Sequence, residues 1–573
     1  MPKNWKIRVP DKAAVERLSK EAGVSSFLAW LLINRNIENA EDAKKFLNPQ
    51  IEDFLSGLDL QIFAAAGLMI MEAVTAGKKI AIHGDYDVDG ITSTALLVDF
   101  FEAIKLKTEY YLPHRQEDGY GLSVGGVSEL AGRGANFLIA VDCGITDHEA
   151  VKTARELGMT VLIIDHHQAP AELPEADLIL DPHIASDIPY FKDLCSAGLV
   201  FFVLLILRRM LRDAGYFEKV KEPNLKRSLD LVALGTVADV APVSGINRIL
   251  LSAGIKEIQQ TGRFGLRLLK KRAGVDEKDL SYGQIAFFLA PRLNAAGRID
   301  EADPGLELLL EKEPRRANEL ADELERRNHL RQRIEDEIIK QAIAQIESRQ
   351  DFAEKKSIVV SGQDWHPGVI GIVAQRLRER YTRPALVISF TKGMGRGSGR
   401  SVSGLDLYES LKLCSEHLVE FGGHKMACGL SIKEGELAKF SEAFEQAVTR
   451  LASEDAFEEF LSCDAEVPLY MISSSMIDEI EKLRPFGPGN PEPVLVARSV
   501  LVLNSQLRKE KHLWLLLRER ESSFQAMFYR AGIEPLKSGE LVDIAYALER
   551  RVWRDELQVQ LIIKDLKRIG VRA

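Results

Sequence analysis

Seven residues, His83-Gly84-Asp85-Tyr86-Asp87-Val88-Asp89, set one imidazole and three carboxylates between the apolar run Ile80-Ala81-Ile82 and Gly90. A carboxylate buried without a partner is costly, and three held together also repel one another. Positive charge must compensate them, and a pair of divalent cations does so most simply. The pattern then recurs. Asp142 follows Phe137-Leu138-Ile139-Ala140-Val141, Asp165-His166-His167 follows Val161-Leu162-Ile163-Ile164, and Asp239 follows Leu234-Gly235-Thr236-Val237-Ala238. Apolar segments that repeatedly end in a ligand-type residue point to a metal-dependent enzyme. Capping or surface acids, and a mononuclear Mg²⁺ phosphatase of another α/β fold, are the competing readings.

At 573 residues the chain calls for two to four domains. From Lys79 to about Asp181, short β-branched runs alternate with helix-length segments, which predicts a mostly parallel sheet covered on both faces. In such sheets ligands sit beyond the carboxyl ends of the strands, where the acids fall. A long charged segment from Arg315 to Arg349 holds no Gly or Pro and predicts a connecting helix. A second α/β unit follows Lys355-Lys356, and five β-rich runs after about residue 460 predict a small barrel of the oligonucleotide-binding (OB) type. The expected units are an N-terminal helical cap on the first domain (1–70), a catalytic domain (71–305), a connecting helix (306–352), an associated domain (353–455) and the barrel (456–573). Five scattered cysteines without a CxxC pair fit a reducing compartment. With no apolar signal stretch after Met1, and Leu199–Leu207 too short to span a bilayer, a cytoplasmic protein is expected. The net charge of −10 argues only weakly against a nucleic-acid partner, because a basic groove can sit on an acidic body.

If the turn after Ile82 is extended, Asp85, Asp87 and Asp89 share one face. Oxygen-rich sites with one or two imidazoles suit Mn²⁺ or Mg²⁺, with Co²⁺ or Zn²⁺ also possible. Two ions sharing a carboxylate would activate water and hold the oxygens of an attacked phosphate. Asp85-Tyr86-Asp87-Val88-Asp89-Gly90, Asp142-Cys143-Gly144, Asp165-His166-His167 and Ala238-Asp239 resemble the four motifs of the DHH phosphoesterase superfamily. Asn294-Ala295-Ala296-Gly297-Arg298-Ile299, Trp365-His366-Pro367-Gly368-Val369-Ile370-Gly371 and Phe421-Gly422-Gly423-His424-Lys425 narrow the resemblance to the bacterial RecJ exonucleases.

That resemblance implies a DHH domain, a long linking helix, a DHH-associated domain and an OB barrel, acting on single-stranded DNA from the 5′ end with Mn²⁺ or Mg²⁺. It assigns His83, Asp87 and Asp142 to one ion, and Asp89, Asp142, His166 and Asp239 to the other. It sets His167 against the scissile phosphate and Asp85 behind the ligands. The associated domain would grip the DNA through Ser398, Arg400, His424 and Lys425, joined by Arg298, Arg376 and His366. Lys392–Ser401, read as a Gly-rich loop, would expose successive N–H groups as an anion nest. Asn328, Arg331 and Gln332 would line a passage wide enough for one strand. Tyr120 and Phe390 are candidates for base stacking. A single-strand-binding protein, a RecQ-type helicase and a monomeric state are implied by the family. A hydrolase of short oligonucleotides or cyclic dinucleotides, a manganese pyrophosphatase and a non-catalytic DNA-binding scaffold are the alternatives.

Overall fold

A computed structural model describes residues 3–50, 60–114, 118–119, 121–184, 191–275, 280–299, 302–553 and 556–571. It opens with β1 (Asn4–Ile7) and the helices Lys12–Ala22, Ser26–Ile33 and Ala40–Leu47. The sequence suggested a cap on the first α/β domain; one contact with it is made where Arg248 Nε donates to the Phe46 carbonyl (3.0 Å), but the core of these helices lies elsewhere. β1 pairs in parallel with Phe460–Cys463, and Leu18, Leu28, Leu31 and Leu32 join one core with Ile477, Ile480 and Leu495. An apolar helical stripe needs a partner surface, and the C-terminal barrel supplies it. Arg35 fastens the contact through the Asn490 side chain (2.8 Å), the Pro491 carbonyl (2.7 Å) and Asp464 (3.4 Å). By contrast, helix Gln61–Thr75 buries Phe63 and Ile70 in the core of the parallel-sheet domain.

That sheet runs through β2 (Ile80–His83), β3 (Glu109–Tyr111), β4 (Phe137–Val141), β5 (Thr160–Ile164) and β6 (Leu178–Leu180). All pairs are parallel, in the order β3-β2-β4-β5-β6. The chain leaves β2 to one side for β3 and then returns to the other side for β4. The carboxyl ends of β2 and β4 therefore form the switch point at which such sheets bind ligands. Helices Ser196–Asp213, Leu229–Ala238 and Gly245–Gln259 complete the domain. The greasy run Leu199–Leu204 lies buried within the first of them. Among the described residues no helix is long and apolar enough to cross a membrane.

Helix Pro314–Glu347 has 34 residues, roughly 50 Å at 1.5 Å per residue. Ala317, Leu320 and Leu324 pack into the first domain, and Ile338, Ala342 and Ile346 into the second. The second domain contains β7 (Ile358–Gln363), β8 (Ala385–Thr391), β9 (Met394–Arg400), β10 (Glu420–His424) and β11 (Ala427–Lys433), ordered β10-β11-β9-β8-β7. Helix Pro367–Tyr381 shares a core with the long helix, while helix Leu437–Leu451 contributes Phe440 and Phe444 to a separate one.

After β12 (Phe460–Cys463) and β13 (Ala465–Glu466) come β14 (Leu495–Arg508), β15 (His512–Glu519), β16 (Ser522–Phe528), β17 (Glu540–Trp553) and β18 (Glu556–Val571). The order β14-β15-β16-β18-β17, with β17 returning to β14, closes a five-stranded barrel. Leu513, Leu515 and Leu517 alternate into its core. Arg554 and Asp555, between β17 and β18, lie outside the described residues.

Candidate metal centre and substrate cleft

The centre starts where β2 ends. Helix Val88–Ala103 begins with Asp87 as its N-cap: Asp87 Oδ1 accepts from the Asp89 N–H (2.9 Å) and the Gly90 N–H (3.2 Å). Asp85, Asp87 and Asp89 therefore do not alternate along an extended segment. Asp89 sits in the first helical turn, and its carboxylate accepts from the N–H groups of Ser196 (2.6 Å) and Ala197 (3.0 Å) at the start of helix Ser196–Asp213. The turn closes so tightly that a Cβ on Gly90 would lie 2.4 Å from the Asp85 backbone.

Asp142, just past β4, has φ of 62°, a left-handed conformation that is costly for a residue with a side chain. Its Oδ1 accepts from Ser196 Oγ at 3.2 Å and lies 3.2 Å from His166 Nε2. His166 is ringed by acids, with Asp89 at 3.8 Å and Asp239 at 3.9 Å. Ligand atoms of Asp85, Asp87 and Asp142 converge within 4.8 Å of one another, as do those of Asp142, His166 and His167. Asp142 is common to both groups. His83 stands apart from them. Its buried ring lies 3.5 Å from Ser123 Oγ and 3.8 Å from Cys143 Sγ.

Electrostatics shows what the cluster lacks. Burial, and then Asp87, push Asp89 up to about 6. Burial followed by Asp89 and Asp87 pushes Asp239 up to about 8. Asp142 is driven well above the ordinary range by burial and by Asp89, Asp87 and Asp85. Burial lowers His83 and His166 to about 4, leaving both imidazoles neutral and able to ligate. Too many carboxylates, beside neutral imidazoles, make a hard, oxygen-rich donor set that fits Mn²⁺ or Mg²⁺.

His167 behaves differently from His166. Burial would lower it, but its 2.7 Å hydrogen bond to Asp165 Oδ1 and the charges of Asp165, Asp239 and Asp87 raise it to about 9. Buried Asp165 also accepts from the backbone N–H groups of His166, His167 and Ile145. It orients His167, a role the sequence reading left unassigned although Asp165 opens the Asp-His-His triplet. Ser196 and Asn294 were missed as well. Asn294 Oδ1 accepts from the Val88 N–H at 3.1 Å, bracing the metal turn from the Asn294–Ile299 motif.

In the cleft, the Gly-rich segment is not a loop. β9 is hydrogen-bonded to β8 on one side and β11 on the other, so its N–H groups serve the sheet and form no anion nest. Gly395, Gly397 and Gly399 are buried, where a Cβ would meet Phe390, Leu430 and Leu386 at 2.6–2.8 Å. Arg396, Ser398 and Arg400 alternate onto the other face. A Cβ on Gly371 of helix Pro367–Tyr381 would lie 3.1 Å from Ser398 Oγ and 3.4 Å from Arg400 Nη2. Arg298 Nη1 donates to the Gly368 carbonyl (3.3 Å), and His366 caps the same helix by accepting from the Gly368 N–H (3.1 Å). Arg298, His366, Ser398 and Arg400 thus gather about one helix N-terminus, which favours anions. His424 and Lys425 are exposed on the β10–β11 hairpin, at the end where Ala427 pairs with Arg400.

Asn328 and Arg331 do not line a passage; both are buried. Arg331 binds Asn328 Oδ1 (3.1 Å) and Glu335 (2.9 Å), and Glu335 also pairs with Arg376 (2.5 Å). An ionic chain, buried at Arg331 and Glu335 and half-exposed at Arg376, ties the long helix to helix Pro367–Tyr381, and polar residues in an apolar stripe are needed for that as much as for binding DNA. Phe390 is core; Tyr120 lies outside the described residues.

Three family models match the chain: the DHH family N-terminal domain over residues 79–236, the DHHA1 domain over 354–450 and the RecJ OB domain over 463–565. The single-stranded-DNA-specific exonuclease RecJ of Escherichia coli is 33% identical, covering 97% of this chain and 96% of the relative. Its Bacillus subtilis counterpart is 33% identical over 98% of this chain and 70% of the relative. The crystal structure of Thermus thermophilus RecJ with Mn²⁺ superposes with a TM-score of 0.84 at 28% identity, covering 99% of this chain and 80% of that one. A complex of the same protein with Mg²⁺ gives 0.79 at 27% identity, over 99% and 79%. A carboxylate cluster short of positive charge, at the switch point of a DHH sheet and followed by DHHA1 and RecJ OB domains, places this chain in the RecJ family of metal-dependent, single-stranded-DNA-specific exonucleases.

Proposed function

We propose that the chain degrades single-stranded DNA from the 5′ end to 5′-mononucleotides, in DNA repair and recombination. The observation that carries this is Asp142, fixed in a left-handed conformation and shared by both groups of converging ligands. Asp87 with Asp142 would hold one ion, joined by His83. Asp142, His166, Asp89 and Asp239 would hold the other. Bound there, Mn²⁺ or Mg²⁺ supplies activated water and neutralises charge on the phosphate. His167, kept protonated by Asp165, donates toward the phosphate oxygens as negative charge builds on them. Asp85 supports the ligands from behind.

Arg298, His366, Ser398 and Arg400 would bind the terminal phosphate at the N-terminus of helix Pro367–Tyr381, with His424 and Lys425 on the following backbone. A fixed phosphate pocket at a set distance from the cations gives direction to the cleavage. Arg376, Arg331 and Asn328 would act through the position of that helix. The functional division is a catalytic domain at 71–305, connecting helix 306–352, associated domain 353–455 and barrel 456–573, with residues 3–50 belonging to the barrel unit. A monomer in the cytoplasm, handed strands by a RecQ-type helicase and a single-strand-binding protein, completes the proposal. The test is incubation with Mn²⁺ and labelled single-stranded, duplex, dinucleotide and pyrophosphate substrates. Mononucleotides released from the 5′ end of single strands are expected. Cleavage of dinucleotide or pyrophosphate alone, or DNA binding without cleavage, would replace this reading.

A further inference from the structure

The helix carrying Asn294 and Arg298 starts at Tyr282 and then widens: Ile285–Leu289 is π-helical and runs directly into Ala290–Ile299. Pro291 accounts for it. Proline has no N–H for the Phe287 carbonyl four residues back, and its ring presses on that turn, so the backbone opens. Ile285, Leu289, Leu293 and Ala296 point into the core. Beyond the π turn, Pro291, Asn294 and Arg298 recur at α-helical spacing along one partly exposed face, and Phe287 lies within the π turn just before them. Two of these touch the site already described, Asn294 at the metal turn and Arg298 at Gly368. Phe287 stands seven residues before Asn294, no more than about 10 Å away along the axis. It is 77% exposed, more than any other large apolar side chain among the described residues, and its neighbour Phe288 is 45% exposed.

A phenyl ring left in water forgoes roughly 1.5–3 kcal/mol of burial, so its display calls for an occupant. Two rings beside Pro, Asn and Arg are too small and too polar-edged for a protein-docking patch, which takes several hundred Å² of continuous apolar surface. They suit a flat apolar ligand whose other groups are anionic and polar. We propose that Phe287 is a base-stacking position for the single-stranded substrate, its ligand a nucleobase a few nucleotides from the scissile phosphate. This rests on the single-strand nuclease reading above. Stacking needs only a π face, so the subsite tolerates any sequence.

The test uses the full-length protein with Mn²⁺ and a series of single-stranded oligonucleotides, each with one abasic position, measuring KM and kcat for the wild type, F287A, F287L and F287W. Expected is an abasic position that weakens capture by wild type and F287W about tenfold. F287A and F287L should show that loss on intact DNA and no further loss at the abasic position, with kcat and Mn²⁺ binding unchanged. A structural role would weaken all oligonucleotides alike. Equal KM for F287A and wild type, or an abasic penalty that survives in F287A, would overturn the inference while leaving the nuclease reading intact. Loss of self-association in F287A at unchanged KM would assign the ring to a second copy and overturn it too. Failure of the wild type to cleave any strand would overturn the parent reading and this one together.

Discussion

Two glycine-punctuated segments carry much of the chemistry here, and their glycines do opposite work. In the turn His83–Gly90 they let the backbone close on itself, so that Asp85 and Asp87 converge on Asp142 without a strand to align them. In β9 they face the core, and their missing side chains make room for Phe390, Leu430 and Leu386. The first set serves the functional residues by bending the chain. The second serves them by keeping it straight, presenting Ser398 and Arg400 from a rigid sheet. A residue that looks like flexibility in a sequence can be a packing device, and the way to tell is its period: three glycines at every second position suit a strand, not a nest.

That contrast can be broken experimentally, most severely at the turn. Asp87→Ala removes both a candidate ligand and the helix cap; kcat should fall on the order of 10³-fold or more. Retention of Mn²⁺-dependent turnover would show that the turn's acids are structural. In β9, Gly397→Ala should destabilise the associated domain by about 1–3 kcal/mol through overpacking, seen in urea unfolding, with kcat near normal while the protein is folded. Weakened DNA binding without destabilisation would restore the nest. Arg400→Ala should raise KM roughly tenfold as a phosphate contact is lost, leaving kcat and both ions unchanged. Loss of metal in that variant would contradict the separation of the two regions.

A subtler consequence is pH dependence. His167 titrates near 9 against 6.5 for a free imidazole. Its pairing with Asp165 therefore stabilises the fold fully below pH 6.5, and that contribution disappears as pH rises through about 9. The protonated donor is lost over the same range. In Asp165→Asn the alkaline limb of kcat/KM should move to lower pH, and an unmoved limb would show that another group sets it.

The parallel-sheet domain was legible because β2, β4 and β5 are apolar runs ending in ligand-type residues, so sequence order alone placed the His83 turn, Asp142 and Asp165 at one end of the sheet; Asp239 joins them from the end of helix Leu229–Ala238. The helix starting at Val88 was not legible, because Asp87 serves equally well as an extended residue or as an N-cap. The long helix was found from its unbroken charge pattern, but its interrupting residues were misread. Glu335 stands four residues from Arg331 and could have flagged a buried pair; Arg376, the second cation on Glu335, is brought there only by the fold. The partner of the N-terminal helices was beyond reach, since the carbonyl that Asn34 binds lies 430 residues away.

One carboxylate, Asp142, would serve two cation sites. Titration of the metal-free protein with Mn²⁺, followed calorimetrically, tests it directly by comparing wild type with Asp142→Asn and Asp239→Asn. Two ions are predicted for the wild type, one unperturbed ion for Asp239→Asn, and weakening of both for Asp142→Asn together with loss of cleavage. An Asp142→Asn protein that keeps one site at wild-type affinity would contradict the claim.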